Sequence, residues 1–326
     1  MRTRVIPFSE AAVREAAAVL RSGGLVAFPT ETVYGLGARA DRSDAVQKIF
    51  AAKGRPPTNP LIVHVSDRSA AADLSADWSA SADALAKAFW PGPLTIVTER
   101  KAGSLAPEVT AGKITVGLRV PNHPAALALL REANLPVAAP SANRSMSISP
   151  TTAEHVLKTL SGVVDVVLDA GKTGFGIEST IVDTSQTPMR LLRHGALPLS
   201  EIARFGDVVD AAKVICVHTA ADAPGMFAKH YAPRAKALLV AGEALTETVN
   251  ALRSKGKRVG VMELGPTRCG TPHVELGAEA DVYASRLYAA LHQLDDEGCD
   301  VIVIENVPNG PEWAAVRDRL MRATAE

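Results

Sequence analysis

What most constrains this chain is where its polar phrases stand, each at the end of an apolar run. Pro29-Thr30-Glu31-Thr32-Val33-Tyr34-Gly35-Leu36-Gly37 follows Leu25-Val26-Ala27-Phe28, and Ser141-Ala142-Asn143 follows Pro136-Val137-Ala138-Ala139-Pro140. Lys53-Gly54-Arg55-Pro56, Gly176-Ile177-Glu178-Ser179-Thr180 and Lys229-His230-Tyr231-Ala232-Pro233 are placed in the same way. In open α/β sheets the crevice beyond the carboxyl ends of strands is where ligands bind. Most of these donors read anions, which points to a pocket for a small molecule bearing phosphate or carboxylate.

The rest of the pattern gives an α/β fold in two parts. Leu61–Val65, Leu94–Val97, Ile114–Val120, Val163–Leu168, Ser179–Asp183 and Arg190–Arg193 read as further strands. With Leu25–Phe28 they predict a mixed sheet of about seven strands. Helices are predicted over Asp44–Ala52, capped by Ser43, over Pro124–Glu132 and over Thr152–Leu160, where Ser149-Pro150-Thr151-Thr152 is a helix start. At 326 residues the chain is long enough for two domains. A linker with Pro224, Gly225 and Pro233 is predicted over His218–Arg234. Beyond it the strands Lys236–Val240, Arg258–Met262 and Val301–Ile304 alternate with helices over Ala244–Lys255, Val282–Asp296 and Glu312–Ala323, as in a small parallel-sheet domain. The first turn of that domain, Ala241-Gly242-Glu243, lacks the glycine-rich dinucleotide fingerprint.

Composition narrows the class. The 35 basic and 35 acidic residues cancel, unlike a chain built to coat nucleic acid. Cys216, Cys269 and Cys299 are too far apart in sequence to suggest a zinc site or a disulfide framework. No run approaches the ~20 apolar residues of a membrane span. The expectation is a soluble, cytoplasmic protein.

Taken singly, the candidate residues admit two readings each. Lys53 and Arg55 can bind phosphates, or can offset the dipole at a helix end. Ser141 and Asn143 suit a nucleotide or an ordinary turn. His64 interrupts an apolar strand. Arg119, inside Val116-Gly117-Leu118-Arg119-Val120, needs either an internal carboxylate, for which Glu178 is a candidate, or a substrate carboxylate. No Gly-x-Ser-x-Gly elbow surrounds Ser179, and no P-loop motif is present.

Jointly, in this order, the phrases resemble the two-domain form of the threonylcarbamoyl-AMP synthase family, with Asn59-Pro60-Leu61, Ser149-Pro150-Thr151, Glu178 to Asp183, and Gly225-Met226 leading to Lys229–Pro233 completing the match. The resemblance implies a YrdC-like twisted mixed sheet with helices over 1–205, a linker that forms a lid over 206–235, and a smaller Rossmann-like α/β domain over 236–326. It implies that Lys53 and Arg55 are catalytic and bind the phosphates of ATP, with Asn59, Thr115, Ser141, Asn143, Ser149, Arg193 and Tyr231 also around the nucleotide. Thr32, His64, Arg119, Ser179 and the backbone at Ala139 would hold L-threonine, with Arg119 on its carboxylate. Met146 stands where the family usually has glycine, and His194 where it usually has proline.

The implied substrates are ATP with Mg2+, L-threonine and bicarbonate or CO2, with no tightly bound organic cofactor and no magnesium ligand that can be picked from sequence. The product would pass to a tRNA threonylcarbamoyl transferase complex, with weak tRNA binding and no membrane association. Two other readings are a carbamoyltransferase of the hydrogenase-maturation type, whose Cys-x-x-Cys pairs are absent here, and an RNA-binding module. Aromatic residues at 4% weigh against the latter, because single strands are bound largely by stacking.

Overall fold

Short apolar runs pair into one large mixed sheet in the first two-thirds of the chain, and a second, parallel sheet follows residue 235. The computed structural model describes residues 2–212, 224, 230–266 and 268–325. The first part runs β1 (Arg4–Pro7), α1 (Glu10–Arg21), β2 (Val26–Pro29), β3 (Tyr34–Arg39), α2 (Ser43–Lys53), β4 (Ile62–His64), α3 (Arg68–Ala72) and β5 (Ser75–Asp77). It continues with α4 (Ala80–Phe89), β6 (Leu94–Arg100), β7 (Thr115–Arg119), α5 (Pro124–Ala133), β8 (Val137–Ala138) and α6 (Ala153–Leu160). β9 (Val166–Asp169), β10 (Thr180–Asp183), β11 (Met189–Arg193), α7 (Leu199–Ile202) and β12 (Val208–Asp210) complete it. The second part comprises β13 (Lys236–Val240), α8 (Leu245–Ser254), β14 (Val259–Glu263), β15 (His273–Glu275), α9 (Ala280–Asp296), β16 (Val301–Glu305) and α10 (Ala314–Ala323).

The first sheet has 12 strands in the order β1-β9-β2-β3-β8-β4-β7-β6-β10-β11-β12, with β5 on β6. That is more than the seven expected. β3 is the instructive omission: its residues stand within the polar phrase after Leu25–Phe28, outside the expected strands, yet it pairs antiparallel with β2. A Cβ at Gly37 would lie 2.8 Å from the Phe28 ring and 3.0 Å from Val137, so glycine there lets the ring cross the strand. The sheet also runs on to Asp210, beyond residue 205. The second sheet is parallel, ordered β13-β16-β14-β15; its edge strand β15 was not anticipated either.

Helices cover the first sheet by ordinary amphipathic logic. Ser9 caps α1 through the Ala12 N–H at 3.2 Å, and Ala12, Val13, Ala16, Ala17 and Leu20 form its buried face. Ser43 does not cap α2. The capping position is Arg42, with no side-chain bond, and the Ser43 hydroxyl donates to Glu108 at 2.9 Å. Gly54 ends α2 at φ 59°, the left-handed turn that glycine makes without strain.

The two parts share a core. Val33, Ile148 and Ile177 pack with Tyr283, Leu287 and Tyr288 of α9 and with Leu320 of α10. At Gly176 (φ 70°) an added Cβ would stand 2.7 Å from the carbonyls of Ala284 and Ser285, so the backbones touch there. His155 on α6 stacks on His292 of α9 with ring centroids 3.8 Å apart. Most of the expected linker, including Cys216, Gly225, Met226 and Lys229, lies outside the described residues. His230 and Tyr231, at its end, are buried.

Candidate active site

Strand register alone sets two predicted residues side by side: His64 ends β4, Arg119 ends β7, and the parallel ladder pairs them directly. β6 runs antiparallel to β7 and parallel to β10, so the starts of β6 and β10 lie at that same edge. Ser179 immediately precedes β10, and Arg193 at the end of β11 pairs with Ile181. The mixed sheet thus collects residues that are up to 161 positions apart in sequence (from Thr32 to Arg193).

They enclose one cavity. Thr32, Arg55, His64, Arg119, Ala139, Ser141, Ser179, Arg193 and Tyr231 line it, joined by Thr30, Glu178, Pro224 and His230. At one end the Arg119 Nη2 donates to the Thr32 hydroxyl at 3.0 Å and its Nε to the Gly92 carbonyl at 3.4 Å. Its carboxylate partner is Glu31, at 2.8 Å; Glu178, the expected candidate, is engaged elsewhere. The Glu31 contact is close but not aligned for a hydrogen bond, and neither Glu31 oxygen has a hydrogen-bond donor among the described residues. Burial and the Arg119 charge hold His64 well below the usual histidine range. The imidazole is therefore neutral, and its Nδ1 lacks a partner among the described residues.

At the other end the cations are buried, which exposed cations serving only a helix dipole would not be. Arg55 donates to the carbonyls of Asn59 (3.1 Å) and Pro60 (2.8 Å). Arg193 donates to the Ser179 carbonyl (3.0 Å), the Ser179 hydroxyl (3.1 Å) and the Pro224 carbonyl (3.1 Å). Burial lowers both guanidinium groups, Arg55 to about 9. A group in that position gains by meeting an anion. Ser179 in turn shares a 2.8 Å hydrogen bond with Thr95.

Five predicted residues are not in the cavity wall. Lys53 donates to the carbonyls of Ser141 and Asn143 and so anchors the Ser141 loop from behind; burial and the adjacent Arg55 pull its ammonium well below the ordinary lysine range. Asn143 holds the same loop through the carbonyls of Arg144 and Ser147, both at 2.8 Å. Ser149 donates to Glu178 at 2.7 Å. Asn59 contributes its backbone carbonyl to Arg55. Thr115 lines a smaller neighbouring cavity that shares Ile62 and Pro224 with the first. Met146 adopts φ 70°, a left-handed conformation that favours glycine, and its carbonyl accepts from the Ala232 N–H at 2.9 Å. His194 lies 3.1 Å from Asp210.

Sequence reasoning missed Glu31, although it stands inside the first phrase, and missed Tyr288 and Arg319, whose places in α9 and α10 carry no local signal. Glu178 accepts from Tyr288 (2.9 Å) and Arg319 (2.8 Å) as well as from Ser149. Burial would raise its pKa, but Arg319 and Arg193 outweigh that and hold it at about 2.

Two predictions arise here. A Cβ at Gly195 would lie 2.3 Å from backbone atoms of Ser179 and Thr180. Gly195→Ala should therefore displace Ser179 and cost about 3 kcal/mol or more, read as a fall in melting temperature with loss of activity; a wild-type melt would contradict the packing. The second concerns acid. Burial, and then His155, lower His292 from 6.5 to about 3. The unfolded chain takes up that proton first, so stability is lost as the pH falls from 6.5 towards 3. Glu178 adds a further loss between 4.5 and about 2. Thermal melts from pH 7 to pH 4 should show a steadily falling midpoint; a flat midpoint would contradict the buried, neutral histidine.

The fold and cavity together define a two-domain α/β protein whose buried, cation-lined site suits a small molecule with carboxylate and phosphate groups. The family can be stated more closely. A family profile described as "Telomere recombination" (Sua5, YciO and YrdC proteins) matches residues 18–195, and one described as "Threonylcarbamoyl-AMP synthase, C-terminal domain" matches residues 198–325. The chain belongs to the Sua5/YciO/YrdC family, in its two-domain form. It is 41% identical over 320 residues to a threonylcarbamoyl-AMP synthase of Bacillus subtilis, covering 95% of this chain and 92% of that one. The solved structure of Pyrococcus abyssi Sua5 complexed with L-threonine superposes with a TM-score of 0.92 at 39% identity, covering 99% of this chain and 98% of that one. HypF in its phosphate- and nucleotide-bound form, at 19% identity and a TM-score of 0.50 over 56% of this chain and 29% of that one, shares the fold alone.

Proposed function

We propose that this chain is an L-threonylcarbamoyladenylate synthase, joining L-threonine, bicarbonate or CO2, and ATP into threonylcarbamoyl-AMP and pyrophosphate. The observation that carries the reading is the shared cavity. A carboxylate-reading corner of Arg119, Thr32 and neutral His64 adjoins a phosphate-reading corner of Arg55, Arg193 and Ser141. The relatives named for this reaction supply the substrate identities.

The chemistry asks for placement and charge neutralisation rather than a side-chain nucleophile. The threonine amine adds to CO2, forming an N–C bond and losing a proton to give a carbamate. A carbamate oxygen attacks the α-phosphorus of ATP, the bond to the β-phosphate oxygen breaks, and pyrophosphate leaves. Arg119 would fix the threonine carboxylate, and the His64 Nδ1, which has no partner among the described residues, would be open to the substrate amine. Arg55 and Arg193 would neutralise phosphate charge. Among the described residues no acidic or histidine cluster could hold a metal, so magnesium would arrive with the ATP phosphates, as is usual for this ion, and no step is drawn through it.

The cavity has about 50 Å3 of room, against roughly 300–1,000 Å3 for small-molecule sites. Admission of ATP would thus require the Tyr231 segment to move aside, the behaviour of a lid. A closed lid would protect the labile carbamate from water. The product would serve threonylcarbamoyladenosine formation in tRNA, delivered to the transferase that uses it in the cytoplasm.

Pyrophosphate release from ATP tests the reading. It should need L-threonine and bicarbonate together. Release supported by carbamoyl phosphate in place of threonine would favour the carbamoyltransferase, and tight, salt-sensitive tRNA binding without any release would favour the RNA-binding module.

A further inference from the structure

Arg319 is 0% exposed although it belongs to α10, the last helix of the second domain. A guanidinium withdrawn from water must be paired to be tolerated, and the pairs it makes all point towards the catalytic cavity or secure that contact. Its Nε donates to Glu178 at 2.8 Å, its Nη1 to the neighbouring Asp318 at 2.7 Å, and its guanidinium carbon lies 5.2 Å from the centre of the Tyr231 ring. Tyr288 on α9 repeats the arrangement. Its hydroxyl donates to the same Glu178 oxygen at 2.9 Å, and its ring stacks on Tyr231 with centroids 5.6 Å apart. Glu178 and Tyr231 both line the cavity. The remaining Glu178 oxygen accepts from Ser149 at 2.7 Å. Two side chains of the second domain therefore hold two walls of a site built by the rest of the chain, each through one polar and one ring contact. Stability alone would be served as well by apolar packing at this position. What the pairs add is a fixed direction for a carboxylate and a ring.

We propose that Arg319 and Tyr288 are positioning residues for ATP, acting through Glu178 and Tyr231, so that the second domain sets the nucleotide side of the site. This rests on the functional reading above for the identity of the nucleotide. Neither residue touches the cavity itself, and both act through groups that do. The threonine corner, held by Arg119, Thr32 and Glu31, has no contact with either residue among the described contacts.

The test uses the full chain and three variants, Tyr288→Phe, Arg319→Lys and Arg319→Met. ATP dissociation constants are measured by titration calorimetry beside the KM values for ATP and threonine. Tyr288→Phe keeps the stacked ring and removes only the donor to Glu178. It should raise the ATP dissociation constant and KM about fivefold, with the threonine KM changed less than about twofold. Arg319→Met should do more, and Arg319→Lys should recover part of the loss. A merely structural role would lower the melting temperature and leave the ATP constants where they were; that result in Tyr288→Phe and Arg319→Lys overturns the proposal. Should Arg319→Met fail to fold, Tyr288→Phe decides the matter. An unaltered chain that binds ATP yet makes no threonylcarbamoyl-AMP defeats the functional reading, while the dissociation constants still judge the positioning role. A chain that does not bind ATP at all overturns both.

Discussion

Arg119→Ala is expected to raise the threonine KM on the order of 100-fold while moving the ATP KM far less. A charge-assisted contact to a carboxylate contributes about 2–3 kcal/mol, and each 1.4 kcal/mol corresponds to a factor of about ten. The same substitution strands Glu31, which Arg119 meets at 2.8 Å, as a buried carboxylate without a counter-charge. Such a loss destabilises by about 3–5 kcal/mol, so a lowered melting temperature should accompany the kinetic defect. The two effects separate in the double variant Arg119→Ala with Glu31→Gln, which should regain much of the stability and none of the threonine affinity. An unchanged threonine KM in either variant would remove Arg119 from the substrate.

Lys53→Ala combined with Arg55→Ala should lower turnover on the order of 1,000-fold, about 2 kcal/mol for the phosphate contact of Arg55 and about 2 kcal/mol for release of the Ser141 loop that Lys53 anchors. The geometry divides the labour between them. Arg55 lines the cavity and donates to the carbonyls of Asn59 and Pro60, so Arg55→Ala alone should weaken ATP and lower stability by about 1–3 kcal/mol. Lys53 instead donates to the carbonyls of Ser141 and Asn143. Lys53→Ala leaves two buried acceptors without that donor and releases the Ser141 loop, so it should also lower stability by about 1–3 kcal/mol. Steady-state kinetics and thermal melts on the two single variants distinguish these roles. Equal loss of ATP affinity with no change in melting temperature for Lys53→Ala would place its ammonium on the phosphates instead.

How much of this was legible in the chain follows from which forces act locally. Apolar runs such as Leu94–Val97 and Val163–Leu168 announce strands because burial on both faces demands continuous hydrophobicity. β3 did not announce itself, since Gly35 and Gly37 answer to the Phe28 ring and to β8 rather than to any strand propensity. His64, Ser179 and Arg193 took their site roles from the family resemblance, whereas the cost of burying a cation in an apolar strand exposed Arg119 as a candidate. The same logic paired Arg119 with Glu178, whereas the fold pairs it with Glu31. Glu178 lies 59 positions from Arg119 in sequence and Glu31 lies 88 away, yet nearness in sequence gives no advantage once the fold brings the more distant carboxylate to the guanidinium. Arg319 was invisible for a related reason: it lies on an ordinary amphipathic helix, and its partner is 141 residues away in sequence.

The measurement that bears most directly on the central claim is the mass of the adenylate formed from ATP, L-threonine and carbon-13 bicarbonate in a rapidly quenched reaction. The account predicts threonylcarbamoyl-AMP carrying the heavy carbon, formed in step with pyrophosphate. Pyrophosphate accompanied by an unlabelled threonyl adenylate, with no heavy carbon in any nucleotide product, would contradict it.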